Sequence, residues 1–81
     1  MTSTADRKEK VRVALVGLGF GAEFIPIYLH HPNVESLTLC DANRAILDAA
    51  GDKFEVGRRT TELSAILAAT DIDAVHLVTP I

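Results

Sequence analysis

A short apolar run that leads into closely spaced glycines constrains the fold more than any other part of this chain. The run covers residues 11–16, and the glycines are Gly17, Gly19 and Gly21. A run apolar on both faces is typical of a central strand in a parallel sheet, and a helix-like segment follows the glycines directly. A second apolar run ends at Asp41, about twenty residues beyond the turn. Strand, glycine turn, helix, strand and terminal acid form the Rossmann fingerprint of a dinucleotide-binding domain.

The glycine positions have separate physical explanations. Gly17 lies where the chain leaves the strand, and a side chain there would clash with the turn. Gly19 faces the space that a pyrophosphate would fill, so a Cβ would hold the phosphates away. A helix beginning near Gly21 and Ala22 directs its free N–H groups and its positive dipole end at that space. Glycine turns also occur as structural punctuation, and the surrounding strand, helix and acid favour the nucleotide interpretation.

Asp41 predicts which dinucleotide would bind. A carboxylate at the end of the second strand can accept hydrogen bonds from the adenosine ribose hydroxyls. It would repel a 2′-phosphate by roughly 1 kcal/mol in water and about 4 at intermediate dielectric, which favours NAD. Alternatively, Asp41 caps the second helix, a role that Asn43 could also fill. Arg44 could stack on adenine, meet a 2′-phosphate or face solvent, so NADP is the second choice.

The remaining pattern alternates strands with helices. The predicted strands are 11–16, 36–40, 54–56 and 74–79, and the predicted helices are 21–30, 43–50 and one that begins at Thr60 or Thr61. Pro26 predicts an irregular start to the first helix, and Gly51 predicts the end of the second. This order predicts an α/β fold, a partial Rossmann domain with a four-stranded parallel sheet. Right-handed crossovers give the strand order 3-2-1-4, with helices on both faces and a ligand above strands one and four.

Composition excludes several classes of function. The net charge is −3 and the basic residues are scattered, which argues against a nucleic-acid-binding face. Cys40 is the only cysteine, so an internal disulfide is impossible and a reducing cytoplasm is expected. No apolar run approaches the ~20 residues of a membrane span. His30, His31 and His76 are expected to be structural, with His76 packed and hydrogen-bonded, and no metal site is predicted.

Four segments together resemble the N-terminal part of one oxidoreductase family. They are Val-Gly-Leu-Gly-Phe-Gly-Ala (16–22), His-Pro-Asn (31–33), Leu-Cys-Asp (39–41) and Asp-Ala-Val-His-Leu-Val-Thr-Pro (73–80). The family is that of glucose–fructose oxidoreductase, inositol dehydrogenase and rhizopine-catabolism proteins (Gfo/Idh/MocA). The resemblance implies NAD- or NADP-dependent hydride transfer to or from sugars, polyols or related small molecules.

The resemblance also implies a role for each site residue. Asp41 would hold the adenosine ribose. Thr79 and Pro80, at the end of the fourth strand, would border the nicotinamide half. The pyrophosphate would be held, chiefly through the backbone, by Gly17, Gly19, Phe20, Gly21 and Ala22. The family's Glu-Lys-Pro motif, with its catalytic lysine, has no counterpart here, so we expect no catalytic residue in this chain.

The expected organisation follows from the length of 81 residues, about half of a usual domain. Residues 1–10 are expected to form a flexible polar tail, and residues 11–81 an incomplete dinucleotide-binding domain without its substrate domain. Such a chain is expected to bind nucleotide without turnover. The fourth strand would be an open edge that favours self-association into a homo-oligomer.

Two other interpretations of the glycine turn stay open. S-adenosylmethionine-dependent methyltransferases use a similar turn and an acid after the second strand. They usually carry an acid two residues before the first glycine, where this chain has Leu15. The chain could also be a fragment without catalytic function.

Overall fold

Four strands and three helical segments alternate along the chain in the computed structural model, which describes residues 10–78. The elements are β1 (Val11–Val16), α1 (residues 18–30), β2 (Val34–Cys40), α2 (Arg44–Phe54), β3 (Arg59–Thr60), α3 (Leu63–Ala68) and β4 (Ala74–Leu77). All strand pairs are parallel, and the order is β3-β2-β1-β4. The predicted α/β class and strand order are therefore confirmed. Thr79, Pro80 and most of the predicted N-terminal tail lie outside the described residues.

The central strand β1 supplies both faces of the core. Val13 and Leu15 point to the face covered by α1 and α2, where they join the larger apolar cluster. Ala14 and Val16 point to the opposite face, where they pack with Ile66 of α3. Successive strand residues face opposite sides, so a strand buried on both must be apolar throughout. The prediction of helices on both faces is confirmed.

The first helix begins earlier than predicted. Its regular geometry is interrupted in the turn that precedes Pro26. An α-helical turn (Leu18–Gly21) passes into a 3₁₀ turn (Ala22–Phe24) and then into a second α-helical stretch (Ile25–His30). Proline lacks an N–H and disfavours a regular turn before it, and the tighter 3₁₀ turn accommodates this. The predicted start at Gly21 was wrong because the chain enters helical geometry directly after Gly17.

The second helix continues past the residue predicted to end it. Gly51 lies inside α2, which ends only at Phe54, and Glu55 in left-handed geometry (φ 58°) closes it. The predicted third strand at residues 54–56 was therefore wrong, and the strand is Arg59–Thr60. A glycine that would normally mark a helix end serves here to make room for the side chain of Arg59.

Arg59 connects β3 to the last turns of α2. Its Nε donates to the carbonyl of Val56 at 3.0 Å, and its other guanidinium nitrogens donate to Asp48 Oδ1 at 3.2 Å and Asp52 Oδ1 at 2.9 Å. A cation is favoured near a helix C-terminus, where carbonyl groups lack intrahelical partners. A Cβ on Gly51 would overlap the guanidinium. The side chain of Arg59 therefore explains why position 51, inside the helix, is a glycine.

The last two elements also differ from the sequence prediction. α3 begins at Leu63 rather than at Thr60 or Thr61, and Thr60 instead accepts a hydrogen bond from the Glu62 N–H through its Oγ1, at 3.0 Å. β4 ends at Leu77, before the described residues end. Within residues 10–78, no helix has the length and apolar character needed to cross a membrane.

An ion pair joins β4 to β1 at the amino ends of these strands. The Arg12 guanidinium donates to both carboxylate oxygens of Asp73 at 2.9 Å, and the Arg12 N–H donates to Asp73 Oδ2 at the same distance. These hydrogen bonds lower the pKa of Asp73 to about 2. The pair sets the register of β4 at the end of the sheet opposite the glycine turn.

We predict that Gly51→Ala destabilises the protein, although alanine has the higher helix propensity. Helix propensity alone would make the alanine variant more stable than the unmodified protein by about 1 kcal/mol. The new Cβ displaces the Arg59 guanidinium from Asp48 and Asp52, and the loss of a hydrogen bond to a charged group costs about 1.5–3 kcal/mol. The free energy of unfolding, measured in urea, should therefore fall. In an Arg59→Ala background the same substitution should stabilise, and an equal effect in both backgrounds would contradict this account.

Candidate functional site

The turn after β1 has a conformation that only glycine adopts without strain. Gly17 has φ 94°, and a Cβ at this position would overlap the carbonyl oxygen of Val78. The Gly17 N–H donates to the Cys40 carbonyl at 2.9 Å, and the Val78 N–H donates to the Val16 carbonyl at 2.8 Å. The turn therefore lies between the ends of β2 and β4, and no space remains for a side chain at Gly17.

The amides that follow Gly17 form the N-terminus of α1. The Leu18 N–H donates to Asp41 Oδ2 at 2.8 Å, and the Gly21 N–H donates to the Gly17 carbonyl at 2.9 Å. Within residues 10–78, the amides of Gly19 and Phe20 have no hydrogen-bond acceptor. A Cβ on Gly19 would meet no atom within 4 Å, so this residue borders open space. Two unpaired amides at a helix N-terminus that faces open space suit an anion.

Asp41 lies beside this turn and uses both carboxylate oxygens. Its Oδ2 accepts from Leu18, and its Oδ1 accepts from the Asn43 N–H at 2.8 Å. Asn43 caps α2, since its side-chain oxygen accepts from the amides of Ala45 and Ile46. The capping role considered for Asp41 therefore falls to Asn43. A carboxylate has about four acceptor positions, so each oxygen of Asp41 retains capacity for another donor.

A cavity of about 320 Å³ lies at the carboxyl ends of β1 and β2, beside the residue that follows β4. Four of the predicted site residues line it: Gly17, Gly19, Phe20 and Asp41. The other lining residues are Val16, Ala42, Ile46 and Val78. Leu18 and Asp41 are 23 residues apart in sequence, and the parallel pairing of β1 with β2 brings them into hydrogen-bond contact. This is the position where open α/β sheets bind ligands.

The other predicted site residues lie elsewhere. Gly21 is buried against the sheet, and a Cβ there would lie 3.3 Å from the Val78 side chain. Ala22 lines a neighbouring cavity of about 570 Å³ between α1 and α2. The Arg44 guanidinium lies 3.8 Å from Asp48, one helical turn further on. Thr79 and Pro80 fall outside the described residues.

Sequence reasoning missed two apolar side chains of the cavity wall. Ile46 lies next to the core residue Leu47 in α2, yet it is 38% exposed and lines both cavities. Val78 is the residue whose carbonyl closes over Gly17. Helical spacing groups Ile46 with the core residue Leu47, and only the rotation of α2 on the sheet separates them.

The histidine and cysteine side chains have structural explanations. The His76 Nδ1 lies 2.6 Å from the Tyr28 hydroxyl, and its ring packs edge-on against Phe24, as predicted for a packed histidine. Burial raises the pKa of the Cys40 thiol, and the charges of Asp41 and Glu62 raise it further. A buried thiol with a raised pKa is a poor nucleophile. In residues 10–78 no group of three acidic, histidine or cysteine side chains could hold a metal ion.

The fold and the site together define a class of protein. A parallel sheet of order 3-2-1-4, a left-handed glycine turn before a helix, and an acid at the end of β2 are the features of Rossmann-like nucleotide-binding proteins. Comparison with solved structures agrees. A Gfo/Idh/MocA family oxidoreductase from Vibrio cholerae superposes with a TM-score of 0.70 and 26% identity, over 83% of this chain and 22% of that one.

A second solved structure matches nearly the whole chain. The WlbA dehydrogenase from Chromobacterium violaceum, solved in complex with NADH and UDP-GlcNAcA, has a TM-score of 0.70 and 35% identity, over 99% of this chain and 22% of its own. No model of a known protein family matches, and no curated protein does. The resemblance predicted from the sequence is confirmed: this chain is similar in fold and sequence to Gfo/Idh/MocA family oxidoreductases. It spans 22% of the length of the two solved chains.

We predict that Gly17→Ala and Gly19→Ala have different effects on stability. Alanine at position 17 must adopt positive φ and overlap the Val78 carbonyl, so unfolding free energy should fall by about 2 kcal/mol or more. Alanine at position 19 meets open space, so stability should change by less than about 1 kcal/mol. Chemical denaturation of both variants measures the difference. Equal losses would show that the close approach of Val78 does not select glycine.

Proposed function

We propose that this chain binds NAD as the adenosine and pyrophosphate part of an oxidoreductase. The observation that carries the proposal is the convergence of the Gly17 turn, the amides of Gly19 and Phe20, and Asp41 on one cavity. Similarity to a dehydrogenase solved with NADH supports a nicotinamide dinucleotide. The same cavity contains both an anion-binding helix terminus and an acceptor for hydroxyl groups, which are the two features that a nucleoside diphosphate requires.

Each predicted residue has a place in this proposal. The unpaired amides bind the pyrophosphate, and Asp41 accepts hydrogen bonds from the adenosine ribose hydroxyls. Gly17 and Gly21 let the turn and the start of α1 pack against Val78, and Ala22 follows them in the helix, so we assign these three residues a role through the backbone rather than through side chains. The wider set that we assign to the cofactor also includes Arg44 at the adenosine end and, at the nicotinamide side, Thr79 and Pro80.

The preference for NAD over NADP follows from charge. Asp41 would repel a 2′-phosphate, and one charge pair at about 4 Å amounts to roughly 1 kcal/mol in water and more in a partly buried site. We assign Arg44 as the cation that would compensate, but its guanidinium lies within ion-pair distance of Asp48. An exposed arginine with an acidic neighbour attracts a further anion less strongly. NADP is therefore the second choice.

The proposed parent activity is hydride transfer to or from a carbon of a sugar, polyol or related small molecule. NAD would supply the hydride chemistry, and this chain would position its adenosine half. The similar WlbA dehydrogenase was solved with UDP-GlcNAcA as well as NADH, which supports a sugar-related substrate. We assign no proton-transfer residue to the cavity, so the chain alone should not turn over. We propose the reducing cytoplasm as its compartment, where the single thiol of Cys40 would stay unpaired.

Calorimetric titration with NAD, NADP and S-adenosylmethionine tests the nucleotide assignment. We expect NAD to bind about tenfold or more tightly than NADP, because of the charge on Asp41. S-adenosylmethionine carries no pyrophosphate for the amides of Gly19 and Phe20, so it should bind more weakly than NAD. Tighter binding of S-adenosylmethionine would favour the methyltransferase interpretation. Steady formation of NADH by the purified chain with polyol substrates would contradict the absence of turnover.

We also propose that the chain self-associates through β4. Among the described residues β4 is an edge strand, and its Val75 and Leu77 side chains are exposed. Leu63 and Leu67 of α3 are exposed apolar side chains as well. Sedimentation should show a dimer or larger species, and Leu77→Lys should shift it to monomer, because an edge lysine opposes strand pairing. A monomer at high concentration in the unmodified chain would contradict this proposal.

A further inference from the structure

We propose that Asp41 is a positioning residue for the anion site as well as the ribose ligand. Its carboxylate connects the two turns that follow β1 and β2, and so holds the glycine turn in its anion-binding form before a nucleotide arrives. The nature of the anion rests on the proposed function. The connection itself is a property of the free chain and is tested separately.

Each carboxylate oxygen of Asp41 accepts a hydrogen bond from a different turn. The Leu18 N–H, from the glycine turn, donates to Oδ2 at 2.8 Å. The Asn43 N–H, which precedes α2, donates to Oδ1 at 2.8 Å. Both are short hydrogen bonds to a charged acceptor, about twice as strong as neutral ones. The bond to Leu18 is partly buried, so water competes with it less than with the exposed bond to Asn43.

The bond to Leu18 determines which amides face the ligand. Leu18 is the first residue of α1, and its side chain is 2% exposed. With its amide bound by Asp41 and its side chain in the core, the orientation of the next two peptide units is set. These units carry the unpaired N–H groups of Gly19 and Phe20. Without Asp41, the Leu18 N–H would lose its acceptor, and the peptide units of Gly19 and Phe20 would be less restrained, although Gly17 would still be held by its bond to the Cys40 carbonyl.

The positioning role of Asp41 and the direct effect of its charge change phosphate affinity in opposite directions. A negative carboxylate beside an anion site repels phosphate, so removing the charge alone should tighten phosphate binding. Removing the connection should weaken it, because a smaller fraction of molecules then has the binding-competent turn. Asparagine separates the two effects. Its amide has one acceptor and one donor group, so it can keep at most one of the two hydrogen bonds in this geometry.

Binding of 2′,3′-dideoxy-ADP by Asp41→Asn tests the effect on the anion site. This probe retains the pyrophosphate but lacks both ribose hydroxyls, so the loss of ribose contacts does not enter. We expect binding roughly fivefold weaker than to the unmodified chain. Glu23→Gln is the matched control, because it removes an acidic charge from the 3₁₀ turn of α1 and leaves both hydrogen bonds of Asp41 in place. It should bind the probe as tightly as the unmodified chain or more tightly. Equal or tighter binding by Asp41→Asn would overturn the proposal.

Nuclear magnetic resonance on the nucleotide-free chain tests the connection without a variant. As the pH is lowered, the amide proton shifts of Leu18 and Asn43 should both follow the titration of the Asp41 carboxyl carbon. Shifts that do not follow it would overturn the proposal, whether or not NAD binds. If they follow it but no nucleotide binds, the connection stands and the proposed function fails.

Hydrogen exchange then separates a local effect from loss of the fold. In Asp41→Asn the amide that loses its acceptor, that of Leu18 or that of Asn43, should exchange about tenfold faster, while core amides such as that of Leu15 keep their protection. Unchanged exchange at both Leu18 and Asn43 would overturn the proposal. If all amides lose protection together, the variant has lost stability globally, and the pH titration of the unmodified chain decides.

Discussion

The close approach of Gly17 to the Val78 carbonyl is the constraint on which the rest of the site depends. It brings the ends of β1 and β4 together and leaves no room for a Cβ at Gly17, which adopts a φ of 94°. That backbone geometry turns the chain at once into α1, so the first helical amides lie at the edge of the sheet. Leu18 then has its side chain in the core and its N–H at Asp41. The pairing of β1 with β4, the direction of α1 and the candidate anion site thus all depend on the contact between Gly17 and Val78.

Charge is distributed differently at the two ends of the sheet. At the amino ends of β1 and β4, the paired side chains of Arg12 and Asp73 satisfy one another. At the carboxyl ends, the residues that line the candidate anion site between positions 10 and 78 include Asp41 and no lysine or arginine, and the free backbone amides there are those of Gly19 and Phe20. Backbone dipoles attract phosphate without the desolvation cost of a buried cation. Such a site leaves the acid free to select for hydroxyl groups on the same ligand.

The sequence prediction succeeded where a local pattern had a single physical solution. β1 is apolar on both faces and is followed by a glycine turn, so its bounds were correct to the residue. The prediction failed between α2 and α3. Gly51 has the local signature of a helix end, yet α2 continues past it, and Arg59 hydrogen-bonds to Asp48 and Asp52 of its final turns and occupies the space above the glycine. That contact crosses a turn and joins two elements, and no short sequence window contains both partners in a recognisable pattern.

The amino-acid sequence by itself determined the α/β class, the strand order and the residues at the glycine turn, because these depend on side-chain periodicity, crossover handedness and the steric limits of glycine. Tertiary structure alone decided three things. It directed Ile46 to the cavity rather than the core, left the cap of α2 to Asn43, and joined both oxygens of Asp41 to backbone amides. Each depends on how a helix is rotated on the sheet or how two turns meet, and these are distances between segments remote in sequence.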